Sequence, residues 1–362
     1  MTLTRRTALK GMLSTAAVPI ISGGPAFGQS NTIRLTISAS HPLSIAWVEP
    51  LKTVIVDRSN QMLEERGSDS RIEWTEAFAG TLYNFNETLE SVSTQLTDMG
   101  WIGSLFEPSG LPLQNIMYST PFATQTVDQA INTMNQLNAN QPAMKQEWDR
   151  HNVTFFGSCV SDGYSLFTKE PIEQLSDLEG MKILGGATIA PWVEPLGASL
   201  VATGIPSMYS QVQTGVGDGV ILIGTGAYPL KLHEVAPYVT RVGTGPLTFG
   251  GFGVNTDTYN SLPEDVQEVL AELGAEYSTE NARIITELEE KIWPAFEEEG
   301  ATVTDMPEEQ KVEWVNRMPD LGQAFVDSLE PQGIPAREIM IAFMETVREQ
   351  GAEPLRDWSE NL

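Results

Sequence analysis

Ile33-Arg34-Leu35-Thr36-Ile37 alternates apolar and polar side chains, the period of a strand with one buried face. A polar turn at Ser40-His41-Pro42 leads into Trp47, Leu51, Val54, Ile55 and Met62, which recur at helical spacing. A second strand at Ile72-Glu73-Trp74, a turn at Gly80 and a helix through Leu89 and Val92 follow. Asp98-Met99-Gly100-Trp101-Ile102, a helix from about Val127 to Trp148 and a strand at Val153-Thr154-Phe155-Phe156 continue the alternation. This order predicts α/β layers around a mixed or parallel sheet.

A second unit opens at Leu178-Glu179-Gly180-Met181-Lys182-Ile183-Leu184, a turn entering a strand. Ala190 to Leu196 reads as a short helix, Leu200-Val201 as a strand, Tyr209 to Val216 as a helix and Gly219 to Ile223 as a fully buried strand. Sheets of this kind take ligands at the carboxyl ends of their strands. The last third is mostly helical. Ser261-Leu262-Pro263-Glu264 has the spacing of a capping box with Pro just inside the helix. Val266, Val269, Leu270, Leu273, Tyr277, Ile284, Leu288 and Ile292 then predict one helix running past Lys291, about 45 Å long and able to lie across two lobes. A helix capped at Asp305-Met306-Pro307-Glu308 and another starting at Pro335 complete the chain.

The N-terminus changes the picture. Arg5-Arg6 precede a short apolar run from Gly11 to Ile21 and the small-residue stretch around Ala26-Phe27-Gly28. The run is about half of the roughly 20 residues a spanning helix needs. Residues 1–28 are therefore expected to be a twin-arginine signal for Tat export to the periplasm. No later stretch is apolar enough to span a membrane. Removing the leader takes Arg5, Arg6 and Lys10 with it and moves the net charge from −27 to about −30. Such a charge opposes nucleic acid and anionic membrane surfaces. It fits either a salt-rich habitat or an ordinary acidic periplasmic protein. Cys159, the single cysteine, reads as a buried small hydrophobe.

Catalytic signatures are missing: no Gly-x-Ser-x-Gly elbow, no His-Glu-x-x-His and no phosphate-binding loop. His41, His151 and His233 lack metal-ligand spacing, so neither a metal nor a cofactor is expected. An exported hydrolase using paired carboxylates stays open as a minor alternative, because carboxylates leave no motif.

Lys169-Glu170-Pro171-Ile172, Asp177 to Ile183, Tyr209 to Gly219, Leu232 to Tyr238 and Ser261 to Gln267 occur together in order. Through these segments the chain resembles the solute receptors of tripartite ATP-independent periplasmic (TRAP) transporters. The resemblance implies a two-lobed periplasmic binding protein of type II-like α/β fold, with an interlobe cleft and a long spanning helix. It places residues 31–157 plus about 245–282 in one lobe, and 158–244 plus about 283–362 in the other. It also implies delivery of solute to small and large membrane subunits. A receptor of an ABC transporter with the same architecture is the alternative.

The chain departs from the family where the ligand is held. The arginine that clamps a carboxylate in the family falls at Leu184, a second frequent arginine at about Tyr164, and a polar position at Leu222. A desolvated carboxylate would lack its cation there. Trp47, Tyr83, Glu87, Trp101, Asp162, Tyr164, Tyr209 and Phe249, together with Leu184, are therefore the expected ligand-binding residues. Aromatic faces beside a carboxylate suit a small amine or amino alcohol. A neutral polyol or sugar-like solute, or a carboxylate held in another way, remains the alternative. His41 is expected at a turn or on the cleft rim.

Overall fold

The computed structural model describes residues 31–362; the leader lies outside the described residues. Eleven strands among the described residues are β1 (Asn31–Ser38), β2 (Ser70–Ala77), β3 (Met99–Ile102), β4 (Val153–Ser161), β5 (Tyr164–Thr168), β6 (Lys182–Gly185), β7 (Ser199–Ala202), β8 (Gly219–Ile223), β9 (Tyr238–Arg241), β10 (Leu247–Asn255) and β11 (Thr302–Asp305). They form two sheets, β2-β1-β3-β10-β4 and β11-β9-β5-β8-β6-β7. Both are mixed, and the α/β architecture read from the sequence is the one observed.

The topology aims the two sheets at each other. In the first, β1, β2 and β3 run parallel, and β10 is antiparallel to β3, with Gly251 opposite Ile102. β4 is antiparallel to β10, with Leu247 opposite Ser161. The chain therefore leaves this sheet at Ser161 and re-enters it at Leu247, on the edge where β1, β2 and β3 end. In the second sheet β5 starts at Tyr164 opposite Ile223, the last residue of β8, and Ser165 lies opposite Arg241, the last residue of β9. β6, β7 and β8 are parallel, so their carboxyl ends also face the crossovers.

β10 runs through a glycine-rich stretch whose pattern predicts no strand. Its nine residues are all buried. Gly250 sits at φ +129° beside a register irregularity, and a Cβ there would strike the Ile102 carbonyl. Glycine hides the strand from a pattern search because it carries no side chain to alternate.

The long helix spans Glu264–Glu298, about 52 Å at 1.5 Å per residue. Val266, Leu270, Leu273 and Tyr277 pack in the core of the first sheet, and Ile284, Ile285, Ile292 and Phe296 in that of the second. It begins without the expected capping box: Ser261 bonds instead to the Thr258 carbonyl, and Pro263 takes the cap position. The Glu308–Arg317 helix is likewise capped by Pro307 without a side-chain bond, while Asp305 closes β11. The helix expected from Val127 to Trp148 is two, Val127–Asn140 and Pro142–Arg150, broken before Pro142. The terminal helix Ala336–Glu349 packs on Val127–Asn140, and the tail bonds to the first lobe through Trp358 Nε1 to the Pro121 carbonyl, 3.0 Å, and Leu355 N to the Phe122 carbonyl. Residues after 335 thus also contact the first lobe.

Glu147 is fully buried; its Oε1 accepts from Leu113 N at 2.8 Å and its Oε2 has no protein partner. Burial pushes its carboxyl up to about 7. An acid raised on folding favours the protonated native state, so stability falls as pH rises from about 4.5 to about 7 and is flat above. Glu147→Gln should remove that share of the slope. Its stability relative to wild type should improve by on the order of 2–3 kcal/mol between pH 5 and pH 8, measured by urea unfolding at both. Gly250→Ala should cost about 2 kcal/mol or more at any pH, read as a lower urea midpoint with an unchanged m-value.

Candidate functional site

Six rings gather where the strands of the first sheet end. His41 lies beyond β1, Phe85 beyond β2, Trp101 at the end of β3, Phe106 just after it, and Phe249 near the start of β10. Trp47 stacks on Phe249 at 4.8 Å and lies 6.0 Å from Trp101. His41 meets Trp101 edge-on at 5.1 Å and lies 6.0 Å from Trp47 and 6.5 Å from Phe85. Phe106 is 5.0 Å from Phe85. Contacts of this kind are offset or edge-to-face, the arrangements aromatic quadrupoles favour.

The rings form a wall graded from core to solvent. Trp101 is fully buried, and its Nε1 donates to Cys159 Sγ at 3.2 Å. Burial pushes the Cys159 thiol up to about 12, so the lone cysteine is an inert packing group, as expected. Trp47 and Phe249 are nearly buried, His41 and Phe106 are half-buried, and Phe85 is 46% exposed. Trp101 therefore backs the wall, while Phe85, Phe106 and His41 face outward. Trp47 Nε1 is buried with no hydrogen-bond partner. His41 Nδ1 is 3.0 Å from Ser40 Oγ, and burial lowers the imidazole below its ordinary range, which favours the neutral ring.

Three expected site residues, Trp47, Trp101 and Phe249, are thus brought together. Phe85 and Phe106 were missed, since isolated Phe residues in loops carry no motif. The other expected residues lie elsewhere. Tyr83 is buried beneath the wall's strands, 2.9 Å from Ser38 Oγ, with its phenol pushed up to about 12 by burial. Glu87 is exposed and closes a capping box: its Oε2 accepts from Asn84 N at 2.8 Å and Asn84 Nδ2 at 3.2 Å. This fixes the turn that carries Phe85. The sequence Asn84-x-x-Glu87 held that signature, and it outranks the ligand role assigned to Glu87.

Asp162 lies in the crossover between β4 and β5, fully buried, where it accepts from Thr225 N at 3.0 Å and from the Thr225 hydroxyl. Burial raises its carboxyl above the usual range against those bonds. Tyr164 packs edge-on to Trp192 at 5.7 Å, and Trp192 stacks with Tyr118 at 6.2 Å, in a second, buried aromatic group. Burial pushes the Tyr164 phenol up to about 12. Leu184 is fully buried on β6, where it packs against Gly217. Tyr209 donates to Glu234 at 2.9 Å on the outside of the second lobe. Tyr164, Leu184 and Tyr209 belong to the core of the second sheet, and Trp47, Trp101 and Phe249 to that of the first.

Charge is the other half of the geometry. The segments that follow β1 (39–48), β2 (78–86), β3 (103–106), β6 (186–193), β7 (203–217) and β8 (224–230) contain no Asp, Glu, Lys or Arg; Glu49, Glu87, Glu107, Glu194, Asp218 and Lys231 come immediately after them. Among the described residues no Lys or Arg is buried. The cation at a strand end is Arg241, which bonds Asp305 at 2.5 Å and lies 5.6 Å from the Trp293 ring, turned toward the long helix. No cluster of metal-ligating side chains occurs among the described residues, and no described helix is long and apolar enough to cross a membrane. A cavity of about 580 Å³ lies by Asn60, Arg71 and Trp74, on the outer side of β2; no expected site residue lines it.

Residues 52–328 match bacterial extracellular solute-binding protein family 7. A solute-binding protein of Sulfitobacter sp. strain NAS-14.1 is 28% identical over 177 residues, 47% of this chain and 50% of the relative. The matched stretch thus spans about half the length of that relative. The C4-dicarboxylate-binding periplasmic protein DctP of Shewanella loihica is 24% identical over 251 residues, 68% of this chain and 73% of its own. A TRAP solute-binding protein from Rhodoferax ferrireducens T118, solved with copurified benzoate, superposes with a TM-score of 0.73 at 16% identity, covering 88% of this chain and 98% of its own. The periplasmic ectoine-binding protein of the TeaABC TRAP transporter of Halomonas elongata gives 0.69 at 18% identity, covering 88% and 100%. Two facing sheets, paired crossovers, a spanning helix and a match over most of the sequence agree: the chain belongs to bacterial extracellular solute-binding protein family 7, and its likeness to TRAP receptors is borne out.

Proposed function

We propose that this chain is the solute-capturing receptor of a TRAP transporter, exported to the periplasm, where it closes two lobes on a small organic molecule. It passes that molecule to the small and large membrane subunits and carries out no chemistry on it. The observation that carries this reading is the facing of two strand-end edges across paired crossovers, with an aromatic wall on one of them. Closure about the crossovers is a hinge motion of packed bodies.

The solute is held without a guanidinium clamp. Leu184 fills the position where the family resemblance expects arginine, and its burial against Gly217 supports a packing role. A carboxylate taken from water into such an edge would be uncompensated. An organic cation, an amine or amino alcohol, instead gains from ring faces, about 0.5–2 kcal/mol for each good contact. The charge-free loops also suit a neutral polyol, the second reading. Benzoate and ectoine in structural relatives support the size class, a small organic molecule.

A thermal-shift screen of amines, amino alcohols, polyols, sugars and carboxylic acids tests this. A true ligand should stabilise the protein by about 2.7 kcal/mol at a hundredfold excess over Kd, without turnover. Shifts confined to carboxylic acids would end the organic-cation reading. Export is tested separately: lysine at both Arg5 and Arg6 should hold the precursor in the cytoplasm on cell fractionation, whereas undiminished periplasmic protein would exclude the Tat route.

A further inference from the structure

We infer that the cationic group of the solute is fully alkylated, an onium of the trimethylammonium type without N–H bonds; this rests on the receptor reading above and names the solute class within it. The reasoning starts from acceptors. A primary ammonium carries three donors, and each one buried without a partner forfeits a hydrogen bond it had with water. The acid that follows Phe85 in the chain is already engaged. Glu87 is held by Asn84 in the capping box. Glu107, which follows Phe106, is close enough to Glu90 for their charges to repel, and burial raises its carboxyl first. An onium needs no acceptor. Its charge is spread over methyl carbons that pack directly on aromatic faces, and His41, Phe85, Phe106 and the rim of Trp47 supply such faces.

Two further observations agree. Trp47 is nine-tenths buried, and its Nε1–H has no partner among the described residues. An unmet donor within an otherwise apolar wall calls for an acceptor on the solute, a hydroxyl oxygen a few bonds from the onium. The chain as a whole carries −27, whereas the strand-end loops carry no acid or base. The distant field thus draws cations in, and the near surface offers them rings and no ion pair.

The test uses isothermal titration with the folded mature protein and three matched alcohols: choline, ethanolamine, and the neutral analogue in which tert-butyl replaces trimethylammonium. Choline should bind about tenfold more tightly than either of the others, since the first lacks methyl groups and the second lacks charge. Phe85→Ala should weaken choline about tenfold while moving the unliganded melting temperature little, because the residue is 46% exposed, and Phe85→Tyr should restore binding. Trp47→Phe keeps a ring but deletes the donor; it should weaken choline while sparing tetramethylammonium, which has no oxygen. Equal or tighter binding of ethanolamine would overturn the alkylated-onium inference and leave the organic-cation receptor standing. Binding of carboxylates or polyols with none of any ammonium probe would overturn both.

Discussion

The pairing of the two crossover strands is the constraint on which the rest of the molecule depends. β4 and β10 lie antiparallel from Val153 opposite Asn255 to Ser161 opposite Leu247. The chain can then leave the first sheet and return to it only at one edge. Since β1, β2 and β3 end at that edge, and β6, β7 and β8 end facing it from the other side, the two strand-end surfaces are turned together by topology alone. Parallel strands with right-handed crossovers place their loops at those ends. The site is therefore a consequence of strand direction before any side chain is chosen.

The spanning helix turns this topology into a stiff frame. Tyr277 donates to the Trp47 carbonyl at 2.7 Å, Asn281 Nδ2 to the Ala46 carbonyl at 3.2 Å, and Ser278 to the Ser158 carbonyl at 2.8 Å, while Asn281 Oδ1 accepts from Val160 N at 2.8 Å. Buried bonds of this kind are costly to break, because each leaves a stranded polar group. They tie the loop carrying Trp47 to the strand that leads into the crossover. Gly157 and Gly274 allow the approach, since a Cβ on Gly157 would meet the Gly274 carbonyl. The wall is thus fixed to the same helix that continues into the second core, so motion of one lobe against the other is referred to a rigid surface.

Much of this was legible in the sequence, and the failures have physical causes. Period-2 and period-3.6 patterns located β1, β8 and the long helix, because each buries one face or all faces of a regular element. β10 escaped because its register is carried by glycines, chosen for backbone clearance and contributing nothing to periodicity. Trp47, Trp101 and Phe249, singled out in the sequence, meet in the aromatic wall, whereas Phe85 and Phe106, in short turns, resembled ordinary loop positions. Glu87 and Asp162 were read as ligand carboxylates although both satisfy backbone donors. An acid at a helix start looks the same in sequence whether it caps or binds, and only the capping spacing at Asn84 and Glu87 separates the two.

The distribution of charge completes the argument. A hinge protein must bring two surfaces from water into contact, and any fixed charge on them would lose solvent at each closure. Here the acidic excess is carried elsewhere, as on the long helix, where Glu280 and Glu287 pair with Arg283. Exposed pairs of this kind contribute little to stability, but they keep the outer surface hydrated and strongly charged. In the proposed closure, the strand-end segments, free of acids and bases as far as the residues that border them, would meet and part with a small electrostatic cost in either direction. Ring faces offer contacts that are each weak, and the proposed receptor role, in which the solute is released again, requires binding weak enough to reverse.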